Sequence, residues 1–405
     1  MQSSASSLSG NPVPSHIVIG AGIVGAAIAY ALQKRGSRVV LIERNEPGLG
    51  ASYGNSGALS SGSVVPLAMP GVLAGVPKML LDPESPLHVP PDYVFTALPW
   101  LLRFVANAQP ARVRRISDAL AQLHAGAIAN HLELTREIGA PELVMQRGHL
   151  HMYPDEAALA KDAAGWKLRE QHGIPFERID RAGILALEPA VGPRYNVAVH
   201  MPDQATITNP LRYVQRIVAA FVAIGGRLER DDIAKLEQRG ARWHCTGTHT
   251  WEAPQVVIAA GAWSLRLLNS VGMDLPLETQ RGYHVMFREV PVPITRTVVL
   301  ADRKAFLAPM EQGLRIGGTV EFGGLERAPD YARAQLLARY ARETFPGLDQ
   351  AREEVWMGHR PCFPDTLPRV GPAPQRDGLW LAFGHGHLGL TDSVNTARLL
   401  AEIMP

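Results

Sequence analysis

Short apolar runs without polar interruption alternate along this chain with stretches whose apolar residues recur at intervals of three and four. The first run, Ile17 to Ile19 after His16, is uninterrupted, as expected of a parallel strand buried on both faces, and it stops at Gly20. Val24, Ala27, Ile28 and Ala31 follow at helical spacing, which predicts one apolar helix face, and Gly36 ends that helix. Val39 to Ile42 is a second such run. Val256 to Ile258 and Trp380 to Phe383 read as further buried strands, the latter followed by a glycine-rich turn and a helix reaching about Ile403. Elsewhere the period changes to two, most clearly in Gly148-His-Leu-His-Met-Tyr153, which predicts a strand with two unlike faces. Strands separated by helices over so much of the chain predict an α/β fold.

At 405 residues the chain exceeds the size at which one hydrophobic core keeps growing, so two domains are expected. With 46% hydrophobic and 19% charged residues it has the composition of an ordinary globular protein. A net charge of +2 without any block of lysine and arginine argues against nucleic acid as a partner. Cys245 and Cys362 are far apart and outside any CxxC pattern, so neither a disulfide framework nor a metal site is expected, and a reducing, cytoplasmic compartment fits. The first fourteen residues, MQSSASSLSGNPVP, lack the basic and apolar regions of a signal peptide and read as a disordered tail. No run is long enough to span a membrane. Gly71 to Leu81 and Leu98 to Phe104 leave open a peripheral contact with the inner face of the plasma membrane, with buried packing as the alternative.

The candidate chemistry starts at the first strand. Gly20, Gly22 and Gly25 form G-x-G-x-x-G between a strand and a helix, which suits a tight turn, close approach of backbone to a pyrophosphate, and close helix packing. Glu43 stands at the end of the second strand, eighteen residues beyond Gly25, where a carboxylate accepts hydrogen bonds from ribose hydroxyls and repels a 2′-phosphate. This unit predicts a dinucleotide but does not distinguish NAD from FAD.

Five later blocks add to the fingerprint: Ala51-Ser-Tyr-Gly-Asn-Ser-Gly57, Val256-Val-Ile-Ala-Ala-Gly-Ala-Trp263, Gly317-Gly-Thr-Val-Glu321, Trp356-Met-Gly-His-Arg-Pro-Cys-Phe-Pro-Asp365 and Gly384-His-Gly-His-Leu-Gly-Leu-Thr391. In these, and over nearly its whole length, the chain resembles the D-amino-acid oxidase and dehydrogenase family of flavoproteins, most of all its bacterial D-amino-acid dehydrogenase branch. The resemblance implies FAD, held noncovalently, since the position of the attachment cysteine of some relatives is taken by Gly358. It places Arg44 beside Glu43 at the cofactor, with Ser52, Asn55 and Gly57, Ile233 at the adenine, Gly261 closing over the dinucleotide, and Gly384, Gly389, Leu390 and Thr391 at the flavin. Thr391 also reads as a helix N-cap. Arg360 is implied as the clamp for a substrate carboxylate, a structural ion pair being the alternative. Either Tyr283 or His284 would reach the substrate, and His387 occupies the place where some relatives carry a second arginine.

The implied fold is a Rossmann-like FAD-binding domain, 14–85, 195–265 and 350–405, interleaved with an α+β substrate domain, 86–194 and 266–349. The substrate sheet is expected to include Val144 to Tyr153. The implied activity is oxidation of a D-amino acid by hydride transfer to the flavin, with electrons passed to a quinone or other carrier. A glycine- or sarcosine-type oxidase using oxygen is one alternative. An inactive FAD-binding subunit is another, prompted by Asp392 in the first turn of the last helix, where relatives are usually apolar.

Overall fold

The structure is a computed structural model that describes residues 13–71 and 85–405. Residues 1–12, most of the serine-rich start, and 72–84, most of the apolar stretch from Gly71, lie outside the described residues. The buried apolar runs form a six-stranded sheet in the order Arg227–Arg230, Val39–Glu43, His16–Ile19, Gln255–Ile258, Leu379–Phe383 and Arg369–Pro372. The first five strands are parallel and the last is antiparallel.

Uninterrupted apolarity has a direct consequence here. Ile17 and Ile19 point into one core cluster with Val40, Ile42, Val256 and Ile258, whereas Val18, Leu41 and Val257 point into another on the opposite face. Helices Ile23–Lys34, Pro210–Ala223 and Gly389–Ile403 cover the second face, and a three-stranded meander, Lys235–Arg239, Arg242–Thr246 and Thr250–Ala253, covers the first. Burial of each such aliphatic side chain contributes roughly 1.5–3 kcal/mol. The first helix is tied to the segment after the last one: Arg35 donates to the carbonyls of Met404 at 2.8 Å and Pro405 at 2.7 Å.

A larger, nine-stranded sheet runs in the order Arg352–Cys362, Glu278–Arg288, Gly313–Phe322, Ala305–Met310, Thr297–Leu300, His149–Tyr153, Val197–Met201 and Glu177–Asp180, with Leu87–His88 pairing alongside Gly313–Phe322. Alternation sorts its central strand. Tyr283, Val285 and Phe287 enter a core shared with helix Ala332–Thr344, while Gln280, Gly282 and His284 fall on the alternate positions of the strand.

Three expected placements change. Val144–Met145 pairs with Ala205–Ile207 in a separate small sheet, and Gly148, at φ 70°, breaks the chain between it and His149–Tyr153. Val197–Met201 and Arg352–Cys362, grouped by sequence with the dinucleotide part, are strands of the larger sheet. No helix among the described residues is long and apolar enough to cross a membrane.

Candidate functional site

The two sheets share one cavity of about 1350 Å³, lined at one end by the first glycine turn and along its length by the larger sheet. At the turn, Gly20 has φ 102°, and a β-carbon there would lie 2.6 Å from the carbonyl oxygen of Ala259. At Gly25 it would lie 1.9 Å from the carbonyl oxygen of Gly20, so helix and turn meet backbone to backbone. Gly22 caps the helix without any side-chain hydrogen bond. Ile23 N–H donates to Ser52 Oγ at 2.9 Å and Ala21 N–H to Glu43 Oε2 at 2.7 Å. The N–H groups of Gly22 and Val24 find no acceptor among the described residues. That leaves donors and the positive end of a helix dipole facing a cavity, the arrangement that binds a phosphate.

Other expected cofactor residues gather at this end. Arg44 stacks its guanidinium 4.0 Å from the Trp263 ring, and both line the cavity with Ile233 and Gly261. Asn55 Oδ1 accepts from Gly57 N–H at 2.8 Å, and Arg315, which no motif marked, donates to the carbonyls of Tyr53 at 2.7 Å and Asn55 at 2.6 Å, fixing the turn. Gly25, Gly57 and Thr391 stand behind the wall rather than in it.

The last helix supplies a second N-terminus. Leu388 is its cap, so Thr391 lies inside the first turn and is not the N-cap; its Oγ1 accepts from Ser60 N–H at 3.0 Å. The N–H groups of Gly389, Leu390 and Thr391 find no acceptor among the described residues, and Gly384, Gly389 and Leu390 line the cavity. A 1350 Å³ space with donor-rich helix ends at the turn and again beside the larger sheet fits an extended dinucleotide with a phosphate end and a ring end.

Arg360 lies across the floor. Its guanidinium sits where a β-carbon on Gly282 would be, 2.1 Å from Cζ, and donates to the carbonyls of Thr319 at 2.8 Å and Gly318 at 3.2 Å. No carboxylate among the described residues pairs with it, and burial lowers its pKa from the usual arginine value. A half-buried guanidinium that is held by neutral carbonyls and lines a cavity retains donors for an anion. His387 lines the cavity as an exposed residue, yet protein surrounds it closely enough that desolvation, with the Arg360 charge second, draws its pKa down to about 4.

The Tyr283–His284 pair divides, Tyr283 lining the cavity and His284 not. Tyr283 turns to the helix side, where its hydroxyl donates to Glu321 at 2.5 Å and accepts from Asp330 N–H at 2.8 Å. His284 points the other way but stands behind the wall, stacked on Trp356 at 5.1 Å with Nδ1 3.1 Å from the Gly54 carbonyl, and burial holds its pKa near 3. Gln280 and Trp356 line the cavity beside Tyr283. The Trp356 ring fills the space that β-carbons on Gly54 and Gly358 would need, at 1.7 and 1.9 Å. No local pattern distinguishes that tryptophan from a core residue.

The sequence matches the family described as DAO, FAD dependent oxidoreductase, over residues 15–403. It is 38% identical to a D-amino-acid oxidase of Bradyrhizobium diazoefficiens, covering 96% of this chain and 94% of that one. It is 34% identical to D-amino acid dehydrogenase 2 of Ralstonia nicotianae, covering 96% and 95%. Among solved structures, glycine oxidase from Geobacillus kaustophilus shares the fold, with a TM-score of 0.76 at 24% identity over 96% of this chain and 94% of that one.

Proposed function

The chain belongs to the family of FAD-dependent oxidoreductases, and from that membership we propose that it oxidises D-amino acids by hydride transfer from the α-carbon and passes the electrons to a quinone or other carrier. The observation that carries this reading is Arg360, a guanidinium without a carboxylate partner on the floor of the cavity that begins at the dinucleotide turn.

Bound FAD supplies the hydride acceptor. The chain's own residues do the rest. Gly22 and Val24 offer N–H groups to the pyrophosphate, and Glu43 offers carboxylate lone pairs to the ribose. Arg360 grips the substrate carboxylate in a bidentate fork, fixing the α-carbon. The N–H groups of Gly389, Leu390 and Thr391 place positive potential where negative charge develops on reduction. His387, neutral at pH 7 with its pKa near 4, adds no second charge beside Arg360. The desolvated wall favours the neutral amine, so no strong general base is required. Cys362 is buried and its thiol is pushed up to about 12, which supports noncovalent attachment.

A membrane-borne carrier is supported by the cavity's apolar lining. Leu67, Val94, Leu98 and Leu102 line it and are exposed, the last at 62%. With Phe95 beside them at 84% exposure, Val94, Leu98 and Leu102 form an apolar surface on helix Val94–Ala106 suited to peripheral contact with a bilayer. Oxygen as acceptor is the second reading, favoured by the relative named as an oxidase. Anaerobic addition of D-amino acids should bleach the flavin absorbance; no bleaching by any member of a broad panel would overturn the activity. Reoxidation by a short-chain quinone faster than by air marks the dehydrogenase, and stoichiometric peroxide marks the oxidase.

A further inference from the structure

The end of the cavity away from the dinucleotide turn holds a second arginine that the chemistry above does not use. Arg169, on helix Ala163–Gln171, lies 4.5 Å over the Trp166 ring and donates through Nε to the Gly62 carbonyl at 3.1 Å. Its two Nη groups have no partner among the described residues, and the residue lines the cavity. The platform beneath it is rigid. Trp166 Nε1 donates to the Tyr153 hydroxyl at 2.9 Å, which donates to Asp162 at 3.0 Å, and the Trp166 ring packs edge-on against His151. Asp162 is also engaged by Lys304 at 3.7 Å and forms no ion pair with Arg169. Lys161 and Lys167 line the same end, so four cations face one committed carboxylate.

The sheet register measures the distance to Arg360. Gly317 faces Phe306, Phe306 faces Val299, and Val299 faces His151, all four lining the cavity. Three inter-strand steps make about 14 Å of floor. Arg360 is anchored at one end, on the carbonyls of Gly318 and Thr319, and Arg169 stands beside His151 at the other.

We propose that Arg169 is a second anion subsite, and that the preferred substrate carries a second carboxylate at the end of a side chain longer than that of aspartate or glutamate. This rests on the D-amino-acid reading of Arg360. The fork of two unpartnered Nη groups matches a carboxylate in plane, and its fixed position over Trp166 means little is lost in ordering it.

Holoenzyme turnover of D-glutamate, D-2-aminoadipate and D-2-aminosuberate, compared with neutral D-norleucine, tests the subsite. In the wild type kcat/KM should rise along the diacid series and exceed that for D-norleucine. In Arg169→Met the preference for D-2-aminosuberate over D-norleucine should fall by roughly tenfold or more, with partial recovery in Arg169→Lys. Unreactive suberate, followed by its perturbation of the flavin spectrum, should bind more weakly to the Met variant. A flat series, or a preference that survives in Arg169→Met with its flavin bound, overturns the subsite. Should Arg169→Met give no holoenzyme, Arg169→Gln, which also removes the charge, is read the same way. If no D-amino acid reduces the flavin but suberate binding depends on Arg169, the activity fails and the subsite stands. If neutral D-amino acids are oxidised and suberate binds both proteins equally, the reverse holds.

Discussion

The two ends of the cavity use glycine in opposite ways. At the dinucleotide turn a missing side chain lets backbone meet backbone, Gly25 against the Gly20 carbonyl. On the floor of the larger sheet the missing side chains make room for other side chains, Gly282 for Arg360 and the pair Gly54 and Gly358 for Trp356. The first kind of contact cannot yield without rebuilding the turn. The second yields by moving a guanidinium or an indole, and so belongs to specificity and positioning rather than to the existence of the site.

The comparison can be broken most directly at Gly25. In Gly25→Ala the new β-carbon meets a carbonyl oxygen at 1.9 Å, and we expect a loss of roughly 2–3 kcal/mol of stability together with loss of flavin on gel filtration. A variant that keeps stoichiometric flavin would show that the turn yields after all. Arg360→Ala should keep its flavin absorbance while kcat/KM for the best D-amino acid drops on the order of a hundredfold. Wild-type kinetics there would remove Arg360 from substrate binding. Gly282→Ala sharpens the contrast, since the atoms nearest its β-carbon are the end of the Arg360 side chain at 2.1 to 2.4 Å. KM should rise roughly tenfold with flavin retained and Tm nearly unchanged; a stability loss as large as that of Gly25→Ala would erase the distinction.

One further effect is shared by both ends. His131 and His385 lie on the dinucleotide side and His149 and His284 on the larger sheet; all are buried, with pKa values drawn by desolvation from 6.5 to about 4, or about 3 for His284. Between those values the unfolded chain binds more protons than the folded one. Stability present above pH 6.5 is therefore lost as the pH falls toward 4. Thermal melts across that range, followed by flavin release and by tryptophan fluorescence, should decline together; a Tm that stays level would contradict neutral burial of these rings.

The same contrast explains what could be read from the chain beforehand. A dinucleotide cofactor was legible because strand, glycine turn, helix and acidic end lie within residues 16–44 and depend on neighbours in sequence, whereas FAD rested on the resemblance carried by the five later blocks. The cavity floor depends on register. Whether Tyr283 or its neighbour faces the cavity is decided by pairing with Trp356–Gly358 on one side and, across a bulge between Arg281 and Tyr283, with Gly313–Phe322 on the other. Trp356 is recognisable as a wall residue only once Gly54, three hundred residues earlier, is seen beneath it. Arg169 belongs to no motif; its role rests on a tryptophan three residues before it and a carbonyl more than a hundred residues away.

The pairing of His16–Ile19 with Gln255–Ile258, and of that strand with Leu379–Phe383, has a consequence for the order of events during synthesis. The glycine turn leaves the ribosome early, but the strand beside it follows more than two hundred residues later, and the helix packed against Ile23–Lys34 comes later still. Such non-local closures carry their entropic cost before any contact offsets it. The dinucleotide cradle thus cannot close on the glycine turn alone and waits for strands and a helix hundreds of residues further along the chain.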